Sequence, residues 1–176
     1  YDNGRCPNTL PFHGCLNSSH CSMHHFFGRQ RAILNDDSYI QFVHKQGLAA
    51  RYIMGVCTGS LTMARAGLLQ GYKAGCHWAF TEQLAQFGCE FVDERIVVDR
   101  NRITGGGVTA GMDIALQLIA EVAGESVAKT IQLAVEYEPA PPFHAGRPEL
   151  AGPVLEAKVR SMFGNSDLFN FEDNNQ

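Results

Sequence analysis

One stretch of this chain has the residue types and spacing to do covalent chemistry: Gly55-Val56-Cys57-Thr58-Gly59. It follows the short apolar run Arg51-Tyr52-Ile53-Met54-Gly55-Val56 and precedes the helical spacing of Leu61-Thr62-Met63-Ala64-Arg65-Ala66. A nucleophile between a buried strand and a helix sits on a sharp turn, with the helix amino terminus directly below it. Unpaired N–H groups and the positive end of the helix dipole there favour thiolate over thiol. Gly55 and Gly59, on either side, let the backbone turn without clashes. The same pattern also suits a structural cysteine buried ahead of a helix, because free cysteine is among the most buried residue types.

The surrounding elements must hold that turn in place. Asn35-Asp36-Asp37-Ser38 offers caps to a helix over about 37–47, closed by Gly47. Residues 51–56 read as a buried parallel strand. Lys73 to Cys76 reads as a further short strand and Phe80 to Phe87 as a helix. Arg95-Ile96-Val97-Val98-Asp99 and Ile103-Thr104 flank a hairpin turn at Arg100-Asn101-Arg102. Gly105-Gly106-Gly107 leads into a strongly apolar helix from Ala110 to Ala123, expected to lie in the core, and Val127 to Glu136 continues in helical style. The Pro-rich 139–148 stretch is expected to be a loop, with a last helix near 149–162 and a frayed tail after Gly164. Alternating strands and helices predict an α/β sandwich with a mainly parallel sheet. The expected organisation is an atypical segment over 1–28, one domain over 29–164 and a flexible tail over 165–176.

Composition narrows the function. The 176 residues favour one domain with a substantial core. With 14 Lys and Arg against 18 Asp and Glu, the formal charge of −4 offers no clustered basic face for nucleic acid. No apolar run approaches the roughly 20 residues of a membrane helix. The amino terminus lacks the basic and apolar regions of a signal peptide, so the expected location is the cytoplasm, with the six cysteines reduced. Three of those cysteines, Cys6, Cys15 and Cys21, share the first 28 residues with His13, His20, His24 and His25. Their spacing matches no recognised metal-ligand set, and no metal is expected. The glycine triplet at 105–107 is not followed by Lys-Ser/Thr, so it reads as a close-packing turn rather than a phosphate cradle.

Several motifs in order carry a family resemblance. Val56-Cys57-Thr58-Gly59-Ser60, Ala66-Gly67-Leu68-Leu69 and His77-Trp78 resemble the DJ-1/PfpI superfamily. The run Arg100-Asn101-Arg102-Ile103-Thr104-Gly105-Gly106-Gly107-Val108-Thr109-Ala110-Gly111 narrows the likeness to the isonitrile hydratase type. Ile131-Gln132-Leu133-Ala134, Glu136-Tyr137 and Pro139-Ala140-Pro141-Pro142-Phe143 extend it. The resemblance covers about residues 29 to 163. It implies a flavodoxin-like, class I glutamine amidotransferase-like three-layer sandwich, assembled as a homodimer. It also implies cofactor-independent hydration of an organic isonitrile to the N-substituted formamide. Cys57 would attack the terminal isocyanide carbon, and Thr58 would hold the site through its backbone N–H and hydroxyl. Gly106, Gly107, Val108 and Thr109 would line the substrate cavity. His77 stands where superfamily members carry a histidine near the thiol, and could serve as its acid/base partner or as a structural residue beside Trp78.

The resemblance further implies an acidic residue beside the cysteine, from a turn resembling Asp-x-x-Gly-Pro-x-Glu. No such motif precedes Cys57. A Pro-Gly-Gly turn expected shortly before residue 29 is matched only by Gly28. The chain is therefore expected to lack the family's first strand, first helix and some following sheet, as a fragment or a reading-frame break would. Asp36, Asp37, Asp99 and Asp113 read as cap, turn or helix-dipole residues rather than replacements. Alternatives to the hydratase are a thiol-based redox or sensing domain, in which Cys57 is oxidised instead of turning over substrate, and an inactive fragment.

Overall fold

The computed structural model describes residues 21–24 and 33–164, and the chain divides after Tyr137 into two compact units. The expected tail after Gly164 and most of the Cys/His-rich amino-terminal segment lie outside the described residues.

The first unit is built on a four-stranded sheet of order β1-β2-β6-β5. Strands β1 (Cys21–His24), β2 (Tyr52–Val56) and β6 (Arg102–Gly105) run parallel, and β5 (Ile96–Asp99) closes the edge as the antiparallel partner of β6. No element was expected as early as β1. Its four residues, Cys-Ser-Met-His, show no alternation, and the strand exists through its pairing with β2. The hairpin turn is tighter than expected: only Arg100 and Asn101 lie between β5 and β6, with Arg100 at φ +56°. A second, two-stranded sheet pairs β3 (Lys73–Ala74) with β4 (Glu90–Phe91) in parallel.

Alternation along β2 decides which helix covers which face. A Cβ on Gly55 would meet Met63 Sδ at 2.7 Å and Ser60 Oγ at 2.9 Å, so α2 (Gly59–Arg65) packs on that face. Helix α1 (Asp37–Ala49) joins it there, capped by Asp36, whose carboxylate accepts from the Ser38 and Tyr39 N–H groups. Gly47 does not end α1 as expected. It lies within the helix, buried, where an added Cβ would run into Leu68, so it is a packing residue. On the opposite face Val56 touches Gly111 of α4 (Ala110–Ala123), and Ile114 lies over Gly105. The result is the α/β/α layering read from the sequence, with Met54, Val56, Cys57, Ile103 and Ile114 as its buried centre.

Between β3 and β4 the chain forms a 3₁₀ turn at Trp78–Phe80 and then α3 (Thr81–Ala85), a shorter form of the helix expected over residues 80–87. Helix α5 (Glu125–Ala134) packs against α4. Helix α4 has its predicted bounds but is not uniformly core. Ala110 and Ile114 are buried, whereas Met112 and Val122 are 46% and 56% exposed. The helix packs on β2, β5 and β6 of the sheet and on α5. The second unit contains α6 (Pro148–Ala151) and α7 (Pro153–Gly164), separated by Gly152 at φ +80°, where a single helix was expected.

The glycine triplet gives a contrast between neighbours. A Cβ on Gly105 would lie 2.5 Å from the Arg95 carbonyl oxygen and 2.9 Å from Ile114, whereas one on Gly106 would meet open space. Gly105→Ala is expected to cost about 1–3 kcal/mol of stability by overpacking. Gly106→Ala should stay within about 0.5 kcal/mol. Urea titration of both variants checks the difference.

Candidate active site

Strands β2 and β6 end together, with Val56 opposite Gly105, and the chain continues from them into Cys57 and into the glycine turn. Carboxyl ends of parallel strands are where open α/β sheets place their sites. The Cys57 N–H donates to the Gly105 carbonyl at 3.2 Å, tying the two segments directly. Cys57 has φ +59°, in the left-handed region that side chains with a Cβ rarely enter. A strained residue between strand and helix is what a nucleophile elbow requires.

The sulfur is buried, with 0% of the residue exposed. The thiolate expectation needs correction. Burial pushes the Cys57 thiol up, outweighing hydrogen bonds from the backbone N–H and hydroxyl of Thr58 that pull it down. Helix α2 is only seven residues long, so its end supplies little field to oppose desolvation. Thr58 is itself buried and makes no side-chain cap bond to α2.

The remaining predicted residues arrive from two directions. After β3, the Gly75 N–H donates to Thr104 Oγ1 at 2.9 Å, and a Cβ on Gly75 would sit 3.5 Å from the Gly105 Cα. That packing carries Cys76 and His77 to the glycine turn, where His77 Cδ2 lies 3.7 Å from the position of a Cβ on Gly107. His77 Nδ1 accepts from the Ala79 N–H at 3.3 Å, and its ring stacks at a tilt on Trp78 and Phe80. Burial lowers its pKa. The ring is therefore neutral near pH 7, with its proton on Nε2. The cap and the stacking account for the structural side of His77.

Gly106 and Gly107 are half-buried, Val108 is 51% exposed, and Thr109 precedes α4 with its hydroxyl accepting from Arg95. Asp113 is more than a dipole residue: it takes an ion pair from Arg95 and a hydrogen bond from the Tyr137 hydroxyl. Asp36 caps α1, Asp37 pairs with Arg65, and Asp99 accepts from the Lys73 N–H and from Arg100, fastening the hairpin to β3. Cys76 and Cys89 are free and buried, like Cys57. Burial, then the charges of Cys57 and Cys89, push the Cys76 thiol up to about 12. Sequence reasoning missed this grouping because three cysteines at 57, 76 and 89 show no spacing pattern. Among the described residues no group of three His, Cys, Asp or Glu side chains could hold a metal ion, and no helix is long and apolar enough to cross a membrane.

Residues 28–121, which contain the thiol turn and the glycine turn, match the DJ-1/PfpI family. The chain belongs to that family. It is 46% identical to the isonitrile hydratase of Pseudomonas putida over 128 residues, covering 73% of this chain and 56% of that protein. It is 35% identical to an HTH-type transcriptional regulator of Pseudomonas aeruginosa over 113 residues, 63% of this chain and 30% of the regulator. A ThiJ/PfpI family protein from Pseudomonas syringae superposes with a TM-score of 0.74 at 40% identity, over 79% of this chain and 58% of that one. This DJ-1/PfpI chain thus spans little more than half the length of the hydratase and of the crystal structure it resembles. Its sandwich is the flavodoxin-like, glutamine amidotransferase-like fold of the family.

The thiol shifts set a pH dependence. Each buried thiol favours its neutral form, so the stability it contributes is complete below the ordinary thiol range and fades as pH rises through the elevated values. Unfolding midpoints in urea should fall between neutral pH and about pH 11, and Cys76→Ala should flatten that fall. Alkylation of Cys57 by iodoacetamide should keep accelerating past the pH at which an unburied thiol has already ionised.

Proposed function

We propose that this chain carries the cysteine centre of an isonitrile hydratase-like lyase, acting without a cofactor on a small organic isonitrile. The observation that supports it most is the buried, strained Cys57 bonded to Thr58 and tied to the glycine turn, within a sequence 46% identical to a named isonitrile hydratase. An isocyanide is uncharged overall and has no N–H or O–H to solvate, and its terminal carbon is weakly electrophilic, so it suits a dry pocket with a soft sulfur nucleophile. Attack forms the S–C bond and leaves the carbon needing a proton. Burial keeps a proton on the resting sulfur, so the site holds the proton that the carbon must receive. The Thr58 hydroxyl, bonded to that sulfur, can pass it across. Addition of S–H to the carbon gives a thioimidate. Water then adds to the same carbon, the C–S bond breaks, and the N-substituted formamide leaves with the thiol restored. His77, whose ring carbon Cδ2 lies beside Gly107, is the acid/base partner in this reading, and Gly106, Gly107, Val108 and Thr109 form the wall facing the substrate. The active assembly is a homodimer.

The likeness to a transcriptional regulator favours a second reading, a ligand-sensing domain in which the same pocket binds without turnover.

The test is consumption of an alkyl isocyanide with formation of its formamide. Turnover should vanish in Cys57→Ala and fall about 10²-fold in Thr58→Val, the scale for losing one donor at a reacting centre. A cooperatively folded chain that binds the isocyanide and forms no formamide would replace the hydratase with the sensing domain.

A further inference from the structure

The segment 105–109 that carries the wall proposed above opens on three consecutive glycines, and these have no side chains with which to hold their own path. A residue outside the glycine motif holds it at both ends. The Arg95 carbonyl accepts from the Gly106 N–H at 3.2 Å. The Arg95 guanidinium reaches the far end: Nη1 and Nη2 both lie 3.4 Å from Thr109 Oγ1. The same guanidinium is anchored on α4, with Nε 2.8 Å and Nη2 2.6 Å from Asp113 Oδ2. The Tyr137 hydroxyl, beyond α5, donates to that same oxygen at 3.0 Å. Partial burial works against the Arg95 charge, but contacts with Tyr137 and Asp113 outweigh it and keep the guanidinium protonated.

We infer that Arg95 is a positioning residue for the thiol site: its carbonyl and its guanidinium together set the path of residues 105–109 past Cys57, while Asp113 and Tyr137 lock its orientation. The inference rests on the Cys57 reading above. Stability alone explains the arrangement poorly. The Arg95 side chain is 52% exposed, and ion pairs at that exposure contribute little. Placement matters far more, since a shift of about 1 Å at a reacting centre can change a rate about 10²-fold. The planar fork is also needed, because it serves Asp113 and Thr109 together, which a lysine ammonium on a flexible stem does not.

The test uses Arg95→Lys, Arg95→Gln and Asp113→Asn in the full chain, with three readouts: urea midpoint, amide hydrogen exchange at residues 106–109, and the rate of Cys57 alkylation by iodoacetamide. Both Arg95 variants should speed exchange at these amides about 10-fold and change the alkylation rate severalfold, with the urea midpoint close to that of the parent chain. Arg95→Lys should fail to rescue despite keeping the charge. In turnover, kcat should fall about 10²-fold with KM little changed. Exchange and alkylation equal to the parent's, or changed only in step with a lower urea midpoint, would overturn the inference. Because alkylation and exchange need no isonitrile, a failed hydratase reading, with no turnover in the parent chain, is told apart from a failed positioning role.

Discussion

The site depends on β2 and β6 lying side by side in parallel, with Val56 opposite Gly105. A parallel pair ends both strands at the same edge of the sheet, so the turn after one and the loop after the other must meet there. The Cys57 N–H to Gly105 carbonyl bond carries the pairing one residue past the strand and holds the strained cysteine in place. The glycines at 55 and 105 serve this constraint from opposite faces. Gly55 lets α2 come down onto β2, and Gly105 lets the Arg95 carbonyl and Ile114 close over β6.

That closeness has a chemical consequence. The packing that seats the nucleophile also removes it from water, and desolvation outweighs the hydrogen bonds from Thr58. Burial thus favours the thiol over the thiolate at neutral pH. For a reaction that must deliver a proton to the attacked carbon, a thiol already holding that proton is a workable start. His77 is shaped by the same burial. Burial favours its neutral form, Nδ1 accepts from the Ala79 N–H in its own 3₁₀ turn, and Cδ2 lies beside Gly107.

Polar ties do the remaining positioning. Asp99 and Arg100 fasten the hairpin to β3 and Gly71, and the Gly75 to Thr104 bond brings the chain before His77 onto the sheet. Arg95, Asp113 and Tyr137 do the same on the other side of the glycine turn. Helix α4 packs on β2, β5, β6 and α5 and keeps Met112 and Val122 exposed.

The chain's own order of residues was enough to determine the thiol turn, the family, the α/β layering and the bounds of α4. These are local signals: a strand-forming run, a small–Cys–Thr–small turn and helical spacing are written over consecutive residues. The tertiary structure alone decided the rest. Gly47 reads as a helix stop and is a packing contact with Leu68, because its partner is 21 positions away in the chain. β1 has no strand pattern and forms by pairing with β2. Arg95 reads as the opening of a strand, and its contacts with Thr109, Asp113 and Tyr137 join residues spaced too irregularly for any periodicity to show. Above all, the turn read along the chain points to a thiolate, whereas burial favours the thiol. A helix amino terminus can be read along the chain, but the desolvation that opposes it depends on how completely Val56, Ile103 and Ile114 enclose the sulfur, and only the folded packing sets that.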